Sequence, residues 1–182
     1  FPITQVNTNL LELESIYLIG MRGVGKTTLG KIIAKHLKFN FVDCDEEFVK
    51  RLGKIKDFIE LNGWDNFRIK ESEIFQELSL LKGTLISTGG GIIEIDINRG
   101  ILGISKRVIW IKDNDLDFEK SIEQPKYPNG ESYLQCKSRR EIFYKQSSNY
   151  TFIFSDLTNF PDIPKSEYYN RLSELIKEYS LD

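Results

Sequence analysis

The stretch from Ser15 to Thr28, SIYLIGMRGVGKTT, constrains the fold of this chain more than any other. A strand-length apolar run leads into the pattern GxxxxGK[ST], carried by Gly20, Gly25, Lys26 and Thr27, and a helix-period segment over about 25–37 leads out of it. In that setting glycines let successive backbone N–H groups turn inward around a phosphate chain, at a helix N-terminus where an anion is already favoured. The pattern predicts a nucleoside triphosphate held by Gly20, Met21, Arg22, Gly23, Val24, Gly25, Lys26, Thr27 and Thr28. Lys26 would neutralise the β/γ oxygens, and the Thr27 hydroxyl is available to Mg2+. The alternative is a glycine-rich turn with no ligand. The motif leaves open whether phosphate passes to water, to a small molecule or nowhere.

The rest of the chain repeats the alternation that this unit begins. SIYLIG (15–20), FNFVDCD (39–45), TLISTGGG (84–91), RVIWIKD (107–113) and YTFIFSD (150–156) are each of strand length. Helix-period segments lie over about 25–37, 64–81, 132–147 and 164–180. Strands alternating with helices predict an α/β fold with a parallel sheet covered on both faces, so the residues just after each strand are where a ligand binds. At 182 residues, 40% apolar and 29% charged, the composition suits one globular domain that buries roughly 70% of its unfolded surface. With 25 basic against 27 acidic residues, the chain has no overall field for nucleic acid or an acidic membrane, and neither is expected as a partner. No apolar run approaches the roughly 20 residues that span a bilayer. Cys44 and Cys136 lie far apart without metal-ligand spacing, which predicts reduced thiols in a cytoplasmic protein. The start FPITQVNTNL has no signal-peptide pattern and no initiator Met, so residues 1–14 are expected to connect from an upstream domain and 15–182 to form the folded one.

Acidic residues follow the second strand, as Asp43 and Asp45 in VDCD. If the segment is extended, alternation puts both on one side, one to hold Mg2+ through water and the other to face an acceptor hydroxyl; the competing reading makes Asp45 a helix N-cap. In GWDNFRIKE, Arg68 and Glu71 stand at helical i, i+3 spacing. A guanidinium held that way suits a carboxylate ligand, although surface ion pairs share the spacing. Gly89, Gly90 and Gly91 follow the third strand, where consecutive glycines indicate a close approach of backbone to a ligand or a flexible turn. CKSRREIFY puts Arg139 and Arg140 on a late helix without fixing which of them faces the site.

In this order and at these separations, GMRGVGKTT, DCD, GWDNFRIKE, STGGG and RREIFY resemble the shikimate kinase family over about residues 15–180. GMRG, the tryptophan of GWDNFR and SSNY at 147–150 are similar to the kinase domain of the pentafunctional arom polypeptide, which implies other domains of the same chain as partners. The resemblance implies a three-layer α/β/α P-loop kinase fold with a five-stranded parallel sheet. It implies ATP-dependent phosphorylation of the 3-hydroxyl of shikimate, on the way to chorismate and the aromatic amino acids, with ATP and Mg2+ as cofactors. Lys26 and the loop amides would hold the phosphates, Thr27 would ligate Mg2+, and Asp43 would reach the metal through water. Asp45 would bind the shikimate hydroxyls and assist proton removal, and the Gly89, Gly90 and Gly91 amides would line the ring. Arg68 and Arg140 would hold the carboxylate, Arg140 being preferred to Arg139 because the family's arginine stands four residues before a tyrosine, here Tyr144.

The family also carries a lid, which corresponds to about 113–131 and includes EQPKYPNG. Gln124, Pro125 and Lys126 stand where it opens with an Arg-Pro pair, and Lys120 takes the place of an arginine that stacks on adenine. Because Gln124 replaces an arginine that reaches the transferring phosphate, the alternative function is a catalytically weakened or non-catalytic ligand-binding relative. His36, late in the first helix, is expected to be uninvolved, and Trp64 and Trp110 to serve packing.

Overall fold

The computed structural model describes residues 14–112, 127–153 and 170. The described elements run β1 (Ile16–Ile19), α1 (Lys26–Leu37), β2 (Asn40–Asp43), α2 (Cys44–Leu52), α3 (Ile55–Leu78), β3 (Thr84–Ser87), α4 (Asp96–Ile104), β4 (Val108–Lys112), α5 (Tyr133–Ser147) and β5 (Tyr150–Ile153). The five strands form one sheet in the order β2-β3-β1-β4-β5, and every neighbouring pair is parallel. β1 and β3 are buried at every position and β4 at all but its last. Successive strand residues point to opposite faces, so burial without alternation means both faces are covered by helices, the expected three-layer arrangement. β2 and β5 are the edges and keep exposed positions.

Where the periodicity marked an element among the described residues, its type is the one observed though its extent differs, and α2 and α4 lie where no helix-period segment was expected. The strand expected over 84–91 ends at Ser87, because Thr88 turns back to donate both its N–H (3.0 Å) and its hydroxyl (2.9 Å) to the Leu18 carbonyl. α3 begins nine residues before the expected start at 64 and is broken at Gly63, whose φ of 82° interrupts the helical backbone. Edge-on contacts among Phe48, Phe58, Phe67 and Trp64 join α2 to both halves of α3. α5 opens on a capping box: Ser132 accepts from the Gln135 N–H at 3.2 Å, and Gln135 accepts in return from the Ser132 N–H at 2.9 Å. Among the described residues, no helix is long and apolar enough to cross a membrane. The connection 1–13, the lid residues 113–126 with Lys120, Gln124, Pro125 and Lys126, and the helix expected over 164–180 lie outside the described residues, save for Asn170.

Candidate functional site

The loop after β1 occupies the carboxyl end of the central strand, between β3 and β4, where the flanking crossovers leave a crevice. Gly20, Gly23 and Gly25 have φ of 144°, 81° and 97°, backbone that L side chains rarely adopt. Gly25 caps α1 without a side-chain acceptor, and the first turn of α1 holds no acidic residue, so the helix presents its N–H groups to an outside anion. The Lys26 ammonium folds back over the loop and donates to the Gly20 carbonyl at 2.9 Å and the Met21 carbonyl at 2.7 Å. Burial pushes its pKa down to about 8, against the pull of Asp45 and Asp43.

Asp43 and Asp45 do not share a strand face. β2 ends at Asp43, whose Oδ1 accepts from the Asp45 N–H at 2.9 Å and the Glu46 N–H at 3.0 Å, so the chain turns helical at Cys44. Asp43, not Asp45, is therefore the helix N-cap, and both readings of the pair as an extended segment or as an Asp45 cap are corrected. The two carboxylates nevertheless converge on one crevice: Asp43 Oδ2 accepts from the Thr27 hydroxyl, and Asp45 lies beyond it, among Arg22, Arg68 and Glu71. Burial, reinforced by the Asp43 charge, raises the Asp45 pKa against the pull of Lys26, Arg22 and Arg68. Cys44 between them is buried in packing, as expected.

Arg68 donates to Glu71 at 2.6 Å, and this is no surface pair, because Glu71 is 5% exposed. Burial raises the Glu71 pKa although the Arg68 guanidinium opposes it. Across the pocket Arg140, 2% exposed, donates from Nε to Glu94 at 2.9 Å, and Arg68 Nε lies 3.5 Å from the other Glu94 oxygen. Arg139 stays half exposed and pairs with Glu131 and Glu94, so the structure places Arg140 in the pocket and Arg139 at its rim. Burial works against the Glu94 charge, yet Arg140, Arg68 and Arg139 together hold its carboxyl below the usual range. Glu94 accepts from the Arg140 Nε and only faces the Arg68 Nε as an ion pair, which leaves terminal N–H groups of both arginines for a carboxylate entering the pocket.

Gly90 and Gly91 line the pocket with Gly89 beside them, and side chains of the site press on Gly89 and Gly91. A Cβ at Gly89 would stand 2.5 Å from the Glu71 carboxylate, one at Gly90 3.4 Å from Arg140, and one at Gly91 inside the Arg68 guanidinium. The glycines are thus required by neighbouring protein side chains, a reason the sequence did not suggest, and none of the three has a positive φ. Tyr144, fully buried, donates to the Gly90 carbonyl at 2.5 Å and stacks on Trp110, fixing α5 and hence Arg140 against this floor. From the other side, Ser72 of α3 donates to Asn98 of α4 at 2.8 Å, and Asn98 donates to the Ile92 carbonyl at 3.0 Å.

Four residues of the site and its immediate surroundings were absent from the sequence expectations or assigned otherwise. Glu94 and Tyr127 were not singled out. Arg22, expected on the nucleotide side through its backbone, also lines the pocket beside Asp45 and Gly90. Trp64, expected to serve packing alone, does pack on Phe67 but also lines the pocket with Arg68 near its ring.

A phosphate loop after the central strand of a 2-3-1-4-5 parallel sheet, with a pocket of arginines and carboxylates beside it, defines a P-loop α/β fold of the small-molecule kinase type. The model of the family described as shikimate kinase matches residues 22–175, and the chain belongs to the shikimate kinase family. It is 38% identical over 157 residues to the pentafunctional AROM polypeptide of Komagataella phaffii, an alignment covering 78% of this chain and 10% of that polypeptide. The chain thus spans about a tenth of the length of such relatives. It is also 31% identical over 158 residues to a shikimate kinase of Legionella pneumophila, covering 82% of this chain and 90% of that one. Among solved structures, shikimate kinase from Acinetobacter baumannii in complex with shikimate superposes with a TM-score of 0.72 at 26% identity, over 95% of this chain and 98% of that one.

Proposed function

We propose that this chain transfers the γ-phosphoryl group of ATP to the 3-hydroxyl of shikimate, as a domain of a larger cytoplasmic polypeptide in aromatic amino-acid biosynthesis. The observation that carries the reading is the placement of Asp45: a partly buried carboxylate in one pocket with Arg22 of the phosphate loop and with Arg68 and Arg140, whose terminal N–H groups can meet an acid. A hydroxy acid with its carboxylate on Arg68 and Arg140 turns its alcohols toward Asp45 and the loop. The names of the bacterial relatives and the complex with shikimate support that acceptor. The pentafunctional relatives support a multidomain setting, and two buried free thiols support a reducing one.

The chemistry follows from these positions. The 3-hydroxyl oxygen attacks the γ-phosphorus, the bond from γ-phosphorus to the β,γ-bridging oxygen breaks, and the proton passes to Asp45, a carboxylate that burial makes more basic than a free one. The loop amides and Lys26 take up charge on the departing ADP, so the Lys26 ammonium exchanges its two loop carbonyls for phosphate oxygens. Arg22 adds a guanidinium at the boundary between the two ligands. Mg2+ fits the residues present: a hydroxyl and a carboxylate in contact beside a phosphate cradle are the hard oxygen donors it takes together with waters and substrate phosphates. Thr27 and, through water, Asp43 would hold it, and its charge would offset that on the β and γ oxygens.

A coupled assay for ADP with ATP, Mg2+ and shikimate tests the reading. Turnover should disappear in Lys26→Met and fall to the background rate without acceptor. No shikimate-dependent ADP release by the wild type, or faster release with gluconate or a nucleoside, ends it. If Gln124 weakens transfer, Gln124→Arg raises kcat in the same assay.

A further inference from the structure

The acceptor pocket contains a polar group that the mechanism above does not use. Tyr127 is 7% exposed, lines the pocket with Arg68, Gly91 and Arg140, and its ring lies 5.5 Å from the Arg140 guanidinium. Tyr133 packs on the ring with centroids 6.3 Å apart, so the side chain has a defined place in the wall. The phenol oxygen is buried and has no hydrogen-bond partner among the described residues. A buried hydroxyl without a partner is costly, and such exceptions call for a reason of their own. Burial, reinforced by Cys136 and opposed by Arg140, Arg22 and Arg68, raises the phenol pKa, so the hydroxyl stays protonated and is a donor.

We propose that Tyr127 is a specificity-determining residue whose hydroxyl donates a hydrogen bond to the carboxylate of the acceptor, as a third donor beside Arg68 and Arg140. The chemistry is complementary. A carboxylate accepts up to about four hydrogen bonds, and two guanidiniums, one donating its Nε–H to Glu94 and the other its Nη1–H to Glu71, leave lone pairs for another donor. A neutral donor adds direction without adding charge to a corner that already holds three arginines. The inference rests on the reading of shikimate as the acceptor.

Calorimetry with shikimate and, separately, ADP tests it on the whole chain and on Tyr127→Phe, which keeps the ring. The expected result is a Kd for shikimate raised about tenfold, a Kd for ADP within about twofold of wild type, and an unliganded Tm no lower than wild type, since no partner is lost. A second ligand with hydroxymethyl in place of the carboxylate should bind more weakly to the wild type, and Tyr127→Phe should cost it nothing further. An unchanged shikimate Kd, an equal loss for both ligands, or a lowered Tm overturns the assignment. Wild-type protein that binds no shikimate overturns the acceptor reading and this inference with it; wild-type binding that Tyr127→Phe leaves intact overturns this inference alone.

Discussion

The two halves of the site are built in opposite ways. The phosphate cradle is one contiguous loop, Gly20 to Thr28, tied to one distant side chain, Asp43, and it works mainly through backbone N–H groups. The acceptor pocket takes side chains from α2, α3, the glycine run, the turn after it, the segment at Tyr127 and α5, and it works through charges that hold each other in place. A backbone cradle is set once the strand and helix at its ends are set. A side-chain pocket is set only when the whole domain has packed, so it is the half in which single substitutions should alter the ligand.

If the halves are separable in this sense, substitutions should divide by which ligand they affect. Asp45→Asn stands at their junction and should lower kcat by about 10²–10⁴ with both KM values within a few-fold; a large rise in either KM would mean that Asp45 chiefly binds. Arg140→Met leaves Glu94 without a buried partner and should raise the KM for the acceptor about 10²-fold while the KM for ATP stays put. A parallel loss of ATP binding would break the comparison. Gly91→Ala drives a methyl into the Arg68 guanidinium and should raise the acceptor KM about tenfold, again sparing ATP, as steady-state kinetics would show.

The last expectation concerns the cradle alone. The Lys26 pKa is lowered to about 8 in the unliganded protein, so the ammonium is charged below that pH and discharges as pH rises through it. Nucleotide binding needs the charged form, and the Kd for ADP should rise about tenfold between pH 7 and pH 9, measured against shikimate binding in the same samples. A shikimate Kd that moved in step would show that the two halves share their titration.

The same contrast explains what could be read before folding. The cradle was legible because its chemistry lies in consecutive residues, and the break in α3 falls at a glycine already present in GWDNFR. Arg68 and Glu71 were legible as a pair because helical spacing is local, but their burial was not. Asp43 shows the limit: a side chain bonding the N–H groups two and three residues on turned an expected strand into a helix start. Glu94 had no local signal, since its partner Arg140 is 46 residues away and the turn between them had to form first. Tyr127 lay in a stretch read as a lid from its prolines, and nothing in its neighbours marked the ring as facing Arg140.

The glycine floor has a consequence for how this pocket can change over time. Gly89 and Gly91 are already filled from outside by charged side chains and Gly90 by the Arg22 backbone, so a drifting sequence has little room there to try new residues. Novelty in acceptor choice must instead arise on the walls, where Trp64 and Tyr127 meet the Arg68 and Arg140 guanidiniums through ring faces rather than at a glycine with no space. A library confined to those two positions would sample altered acceptors, whereas one that includes the floor would be spent largely on inactive protein.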